Sequence, residues 1–549
     1  MKRRNFLVLG AHVDSPSDNA TMVSSARRQV VPEFATRTEA GLEPYTPTGA
    51  NPWDYSKAAH LLRRCMIGPK DSEIRKAVTD GIDATVKQLL TLTPLSFDEI
   101  KSWAGTDVQY RPPNNDMDSD EYKAWQTALF TRREQLVKWW LKNIGTSPVC
   151  IQERLVIMWH NHFANEINTV NFADYMFVQN LQFHKYCLGN FKLFVKDITK
   201  DPSMLIYLDG IKNFKVNKNN QINENYAREL QELFTCGVVD WNNNPNYTQA
   251  DVSEAAKALS GWTITPSTTK DPKYYFGLTS VFIESRWDSS DKTFMNKKGP
   301  WKADDIVDII FSERADQVAK FICTKIYKEL VYDVPDKVIV EAMANTLKSN
   351  NWEIKPVIDQ LIRSEHFFDA TNIGAKDKSP IDFMVGAIRT LGLTSVPDFN
   401  LGVSGRNTQE LMNRMQAIGQ VPCFPPNVKG WPGGRTWVST STLPLRQKFL
   451  LDVLDEKVVI QKTIMYKFDA IAFAKTFPSY NDAEKLTQEI SQALLNVAPS
   501  KQESAALLEA LLQGAKSYEW KIDDPTFQAD KHIRNLLKSI VQLAKHELF

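Results

Sequence analysis

The chain lacks the features that most directly reveal a protein's class. No stretch approaches 18 consecutive apolar residues, so we expect no membrane-spanning helix. Lys and Arg number 66 and Asp and Glu 65, for a net charge of +1, whereas nucleic-acid binding shows itself as a basic surplus. The composition therefore predicts neither a membrane span nor a nucleic-acid partner.

Cysteine pairs and catalytic signatures are also lacking. The six cysteines lie far apart without a C-x-x-C pair, which excludes a zinc ribbon or a thioredoxin-type site and favours scattered buried thiols. No G-x-S-x-G, Walker, H-E-x-x-H or G-x-G-x-x-G motif occurs. The chain is instead rich in aromatic residues, at 11% with 14 Trp among its 549 residues. These features predict a globular protein without indicating a reaction.

The N-terminus has the form of a twin-arginine export signal. Arg3 and Arg4 precede Asn5-Phe6-Leu7, but the apolar run ends before His12, short of the about 7–15 residues that such signals carry. Export to the periplasm or cell envelope and a cytoplasmic location both stay open. We predict that residues 1–54 form a flexible leader.

From Tyr55 onward the apolar residues recur with a helical period almost throughout. The expected fold class is all-α, with one large multi-helix domain over 55–455 and a helical appendage over 456–549. A small β excursion at about 263–299 interrupts it, where Gly277 is expected to turn a short hairpin.

Two histidines in Trp159-His160-Asn161-His162-Phe163 suggest a metal site at first sight. On a helix, residues at i and i+2 project about 200° apart and cannot chelate one ion. His162 falls on the apolar stripe, so we expect it to be buried and neutral, and His160 to be more exposed. A hydrogen-bonded core histidine and a catalytic histidine both remain open for His162.

The segment 223–234 holds an unusually polar block. On a helical wheel, Glu224, Asn225, Arg228, Glu229 and Glu232 share an arc of about 140°. One interpretation is an amphipathic helix with a Glu224–Arg228 ion pair.

The other interpretation makes Glu229 and Glu232 paired carboxylates in a cleft, joined by Asp209. This predicts one network near His162 in which Arg228 bridges two carboxylates. A divalent cation at the cluster is possible but not favoured, and we predict no cofactor.

The loop 425–437 carries two Trp residues among Gly and Pro, and they serve either as a stacking platform or as plugs for helix ends. The candidate catalytic residues are His162, Asp209, Glu229 and Glu232, and the candidate binding residues are Asn223, Glu224, Asn225, Arg228, Trp431 and Trp437.

In order along the chain, Trp159 to Phe163, Asn223 to Leu233 and Pro425 to Trp431 belong to eight blocks that resemble one family, the bacterial domain of unknown function numbered 1800. The resemblance covers about residues 55–455. It implies a large, mostly helical and commonly exported protein. Genes of such proteins often neighbour those of a family with an alkaline-phosphatase-like fold, which implies a possible protein partner and no established reaction.

Two functions remain. The first is a helical scaffold or partner-binding protein of a bacterial envelope or export-linked system. The alternative is a hydrolase-like enzyme that acts on a polymeric substrate through Glu229, Glu232, Asp209 and His162.

Overall fold

A computed structural model describes residues 33–215, 222–395, 406–460 and 463–549. Arg3, Arg4 and most of the predicted leader lie outside the described residues. Within them the chain is mostly helical, with twenty-two α-helices and a few short strands, which confirms the all-α class with its small sheets.

The first ten helices follow one another through residue 258. They are α1 (Tyr55–Cys65), α2 (Asp71–Leu89), α3 (Asp120–Thr146), α4 (Gln152–His162), α5 (Ile167–Val170), α6 (Ala173–Tyr186), α7 (Phe191–Thr199), α8 (Pro202–Tyr207), α9 (Asn225–Glu229) and α10 (Gln249–Ala258). A capping box begins α10, where Thr248 accepts from the Asp251 amide and Asp251 accepts from that of Thr248.

Helix α4 lies in the middle of this half and is buried on all sides except at Asn161. Its polar residues are paired across helices: Arg154 binds Asp382 at 2.6 Å. Glu153 meets His184 at 2.8 Å. A helix buried all round departs from the amphipathic pattern on which a wheel argument depends.

Short strands occupy the β excursion, but the hairpin prediction at Gly277 is wrong. The strands are β1 (Val108–Gln109), β2 (Trp262–Pro266), β3 (Tyr275–Phe282), β4 (Lys292–Phe294) and β5 (Lys297–Gly299). Gly277 lies inside β3, which pairs antiparallel with β2 on one side and β1 on the other. The turn lies between β2 and β3 instead, because the long strand uses Gly277 as an ordinary extended residue.

The second half is again helical. Its helices are α11 (Ala303–Glu313), α12 (Ala315–Leu330), α13 (Lys337–Ser349), α14 (Ile354–Ile362), α15 (Glu365–Phe368), α16 (Pro380–Thr390), α17 (Arg406–Ala417), α18 (Thr442–Leu454), α19 (Ala470–Ala474), α20 (Ala483–Leu494), α21 (Lys501–Leu512) and α22 (Ala529–Val541). Two-residue strands β6 (Thr394–Ser395), β7 (Val459–Ile460), β8 (Thr463–Ile464) and β9 (Tyr466–Lys467) accompany them.

The last hundred residues pack tightly on the body. Helix α22 contacts α18, and the buried Arg446 of α18 donates to Glu547 at 2.7 Å. Arg63 of α1 donates to the main-chain oxygens of Gln492 and Ala493 at 2.8 and 2.6 Å. A single buried apolar cluster extends through both parts of the described chain.

Candidate functional site

A cleft of about 1370 Å³ opens beside the C-terminal end of α4. Its walls come from α4, the segment 232–246, α12, the segment 375–382 and the loop 429–437. Many charges of both signs line it: Arg154, Lys320, Lys325, Lys328, Lys376, Lys429, Arg435, Glu33, Glu232, Asp240, Asp316, Glu329, Asp333, Asp377 and Asp382. Drug-sized ligands occupy sites of about 300–1,000 Å³, so this cleft has room for a longer, polar ligand.

His162 and His160 project in different directions from α4, as predicted, but both are buried. His162 is 3% exposed and His160 is 2% exposed, so the expectation that His160 is more exposed is wrong. His160 Nε2 accepts the Cys423 amide at 3.1 Å, and its ring packs against Trp140 and Trp431. Burial lowers the pKa of His160 to about 3, so this ring is a neutral acceptor that holds the loop before Trp431.

His162 contacts a lysine that the sequence did not single out. Its Nε2 donates to the Phe234 carbonyl oxygen at 3.1 Å, which leaves Nδ1 as an acceptor. Lys325 of α12 places Nζ 2.7 Å from that Nδ1. Burial, and to a lesser degree the Lys325 charge, hold the pKa of His162 well below its usual value, so the prediction of a buried, neutral His162 is confirmed.

Lys325 is only partly exposed to the cleft, and its surroundings disfavour a charge. Burial lowers its pKa to about 7, with a smaller contribution from the nearby Lys328. Its Nζ also lies 3.3 Å from the Leu233 carbonyl oxygen. A neutral amine has two N–H groups and one lone pair. His162 and Leu233 accept the two N–H groups, so the lone pair is left to accept a proton.

A π-helical turn supplies both carbonyl groups. Leu230–Thr235 continues α9 with wider turns, seen in the Cys236 amide donating to the Gln231 oxygen at 3.3 Å. The helix ends at Thr235, so the carbonyls of Leu233 and Phe234 lack partners within it, and Lys325 and His162 satisfy them. π-helical turns occur often at functional sites.

Glu232 belongs to the same cleft. It is 9% exposed, Tyr247 Oη lies 3.5 Å from its Oε2, and Lys429 Nζ lies 4.0 Å from its Oε1. The structure therefore brings two of the four predicted catalytic residues, His162 and Glu232, to one cavity.

Two of the charges predicted to join one network near His162, Arg228 and Asp209, have local partners. Arg228 contacts the Glu224 carboxylate at 3.1 Å and the Gln249 amide oxygen at 3.0 Å. Glu224 also accepts from Ser253 and from Gln249. The wider π-helical turns after Glu229 shift the phase of the helix, so the wheel that placed these residues on one arc does not hold across it.

The two remaining predicted catalytic residues lie outside the cleft lining. Asp209 pairs with Lys212 at 2.6 Å on a surface turn. Glu229 is half-buried on α9, where its charge helps to raise the pKa of Tyr207, after burial and Glu166.

Several of the predicted binding residues have defined contacts in the structure. Asn223 accepts the Asn225 amide at 2.9 Å, which shapes the start of α9. Trp431 and Trp437 are buried in the cleft wall. Asn161 holds Trp431 by accepting its amide at 2.7 Å and donating to its oxygen at 3.4 Å. Both indoles thus contribute to the wall as packed side chains.

The pattern of the sequence gave no sign of Lys325. Thr324, Lys325 and Lys328 share one face of α12 with Phe321, which resembles an ordinary solvated helix face. Only the packing of α12 against the 232–236 segment reveals that this face meets α4.

Three further expectations concern the cysteines, a membrane span and a metal site. All six cysteines are free and buried. Within 33–215, 222–395, 406–460 and 463–549, no helix is long and apolar enough to cross a membrane. In the same ranges, no three His, Cys, Asp or Glu side chains gather as metal ligands would.

A family model described as "Protein of unknown function (DUF1800)" matches residues 60–541, and the chain belongs to this family. The match extends beyond the 55–455 expected from the sequence and includes most of the last hundred residues. No curated protein and no solved structure matches the chain.

Proposed function

We propose that this member of the family is an enzyme that binds an extended polar substrate in the cleft and uses Lys325 as its general base. The observation that carries the proposal is the contact of Lys325 Nζ with His162 Nδ1 at 2.7 Å. A base works best when its pKa lies near the working pH, and that of Lys325 is lowered to about 7.

The roles of the neighbouring groups follow from their contacts. His162 stays neutral because burial lowers its pKa, and its Nε2–H is held by the Phe234 oxygen, so its Nδ1 orients the Lys325 amine without taking its proton. Lys325 accepts the proton of a water or a substrate hydroxyl, and Glu232 contributes a carboxylate to the same cavity. This deepens the hydrolase-like alternative and replaces its Asp209 and Glu229 with Lys325.

The size and lining of the cleft support a substrate of several polar units. A volume of about 1370 Å³ exceeds that of common small-molecule sites, and charges of both signs are available for hydrogen bonds. The polymeric substrate expected from the sequence is consistent with this shape.

A scaffold or partner-binding role, a partner with an alkaline-phosphatase-like fold, a bacterial envelope setting and export by the twin-arginine-like segment stay predictions from the sequence. The cleft does not depend on any of them.

The test compares turnover by three proteins. Soluble oligosaccharides and peptides, neutral and acidic, are incubated with wild type, Lys325→Met and Lys355→Met, and the products are identified by mass spectrometry. Lys355 is an exposed lysine of α14 outside the cleft lining. Removing a general base costs about 10²–10⁴-fold in rate.

We expect that loss in Lys325→Met alone. A Lys325→Met protein that folds and turns over substrate as wild type does would contradict the proposal. Binding of an oligomer by wild type without any product would favour the scaffold role.

A further inference from the structure

A second, smaller pocket lies behind the cleft, between α1, α16 and the segment after α22. It measures about 50 Å³, and Asp382 and Phe549 line both cavities. Its polar lining is Arg63, Lys378, Asp382, Thr390 and His546, and Thr390 already donates to the Pro69 oxygen at 3.3 Å. A cavity of this size holds one or two waters or one small ion.

The positive charges around this pocket exceed the negative ones. Asp382 is already bound by Arg154 at 2.6 and 3.1 Å and by Ser379 at 2.7 Å. Glu547, close behind the pocket, is bound by Arg446 at 2.7 Å. Asp382 and Glu547 therefore each have their own arginine before Arg63 and Lys378 are counted.

Arg63 has only neutral acceptors. Its guanidinium donates to the side-chain oxygen of Asn496 and to the main-chain oxygens of Gln492 and Ala493. These oxygens accept three hydrogen bonds from the five N–H groups of Arg63 but do not neutralise its charge. Asp71, the carboxylate that acts on Arg63, is itself bound by Arg75 at 2.6 Å, and a buried uncompensated charge is costly.

Lys378 and His546 add donors to the same pocket. The pKa of Lys378 is lowered to about 7, mainly by burial and then by Arg63 and Arg446, whose combined effect exceeds the opposite effect of Glu547 and Asp382. His546 is 5% exposed, and its Nδ1 has no hydrogen-bond partner among the residues that the structure describes. The arrangement is a set of cationic and N–H groups around a small cavity.

We propose that this pocket binds a small oxyanion of the phosphate, sulfate or short-carboxylate class, held by Arg63, Lys378 and His546. The anion supplies the negative charge that the surrounding residues lack, and charge-assisted hydrogen bonds from arginine and lysine are the usual way to hold such a group. The site is separate from the Lys325 cleft and does not rest on the proposed enzyme function.

The test follows thermal unfolding of the full chain with increasing sodium sulfate, at ionic strength held constant with sodium chloride. A specific site raises the Tm in proportion to the logarithm of sulfate concentration above its Kd. The variants are Lys378→Gln, which removes one charge from the pocket, and Lys545→Gln, which removes the same charge nearby. Lys545 instead binds Glu503 at 2.7 Å, outside the pocket.

We expect sulfate to raise the Tm of wild type and Lys545→Gln by several degrees and that of Lys378→Gln by much less. Without sulfate, Lys378→Gln should melt no lower than wild type, because it removes an uncompensated charge. Titration calorimetry of wild type with sulfate should show saturable binding.

An equal sulfate effect on all three proteins would reveal only a general salt effect and would overturn the proposal. The absence of saturable binding to wild type would overturn it as well, and would indicate that a group of the chain itself, such as a carboxylate at Phe549, already neutralises the pocket.

Discussion

His160 and His162 lie on the same turn of α4 and are both buried, but their hydrogen-bond partners differ. These partners determine what each ring can do. His160 uses Nε2 to accept a main-chain amide from Cys423, whereas His162 uses Nε2 to donate to Phe234 and keeps Nδ1 for Lys325. The first is a structural clamp on the loop that precedes Trp431. The second accepts one N–H of the Lys325 amine, which leaves the lone pair of that amine to accept a proton.

His160 makes the protein sensitive to acid. The unfolded histidine takes a proton near pH 6.5, but the folded one resists until about pH 3, so in that window the unfolded state binds more protons and lower pH favours unfolding. Wild type should lose stability relative to His160→Gln by about 1.4 kcal/mol per pH unit below 6.5. Urea unfolding of both proteins at pH 7 and 5.5 measures this, and a difference that does not change with pH would contradict it.

Arg228 should contribute little to stability. Its side chain is 37% exposed and pairs with Glu224 within one helix turn, so Arg228→Ala should cost about 0.3–0.5 kcal/mol rather than the several expected of a buried bridge. Arg154 provides the contrasting buried ion pair, since its side chain is 3% exposed and binds the buried Asp382. Arg154→Ala should cost about 3–5 kcal/mol in the same denaturant titration. Equal losses in the two variants would restore the bridging role of Arg228.

At the scale of elements, the loop 425–437 is fixed to the end of α4 by one close approach. Gly430 has a φ of +77°, and a Cβ there would lie 2.0 Å from Asn161 Oδ1 and 2.4 Å from the Asn161 main-chain oxygen. Gly433 of the same loop has a φ of +74° with nothing within 4 Å of its Cβ position. Comparing substitutions at the two glycines therefore separates two costs. Both positions share the cost of a positive φ, and only Gly430 has the additional clash with Asn161.

Both Gly430→Ala and Gly433→Ala carry the strain of a positive φ, about 1–3 kcal/mol. Gly430→Ala should cost about 1–3 kcal/mol more, because it displaces the two hydrogen bonds between Asn161 and Trp431. Urea unfolding of the two variants gives the difference. Equal costs would mean that the loop moves away from α4 without loss.

Helices could be predicted from the sequence because apolar period and capping residues act locally. The first helix, Tyr55–Cys65, begins at the residue from which the helical period was predicted. The strand through Gly277 could not be predicted in this way. Its partner strand 108–109 lies far away in sequence, and its partner strand 262–266 lies across a turn. The π-helical turn Leu230–Thr235 could not be predicted either, because a helical wheel assumes a constant 100° per residue.

Half of the candidate catalytic set could be predicted for the same reason. His162 and Glu232 were identified from local pattern, and both reach the cleft. Lys325 was missed because its significance depends on burial against α4, which is a property of tertiary packing. Asp209 and Glu229 lie outside the cleft lining, because nearness along the chain does not ensure nearness in space.

At the scale of the whole molecule, we expect the two predicted parts to unfold together. Buried Arg63 of α1 and Arg446 of α18 take acceptors from residues 456–549, so separating the parts leaves buried donors unpaired. Calorimetry should show one transition with equal calorimetric and van't Hoff enthalpies. A stable proteolytic fragment ending near residue 455 would instead support an independent appendage.

The central claim, that Lys325 is a neutral base in the cleft, is tested most directly by the pKa of its amine. Trace labelling with acetic anhydride from pH 5.5 to 10.5, followed by mass spectrometry of the Lys325 peptide, measures this pKa in the native protein and, as reference, in urea. We predict a native pKa of about 7 and a value of about 10.4 for the unfolded chain. A native value close to that of the unfolded chain would contradict the account, because Lys325 would then be a permanently charged side chain and could not serve as the base.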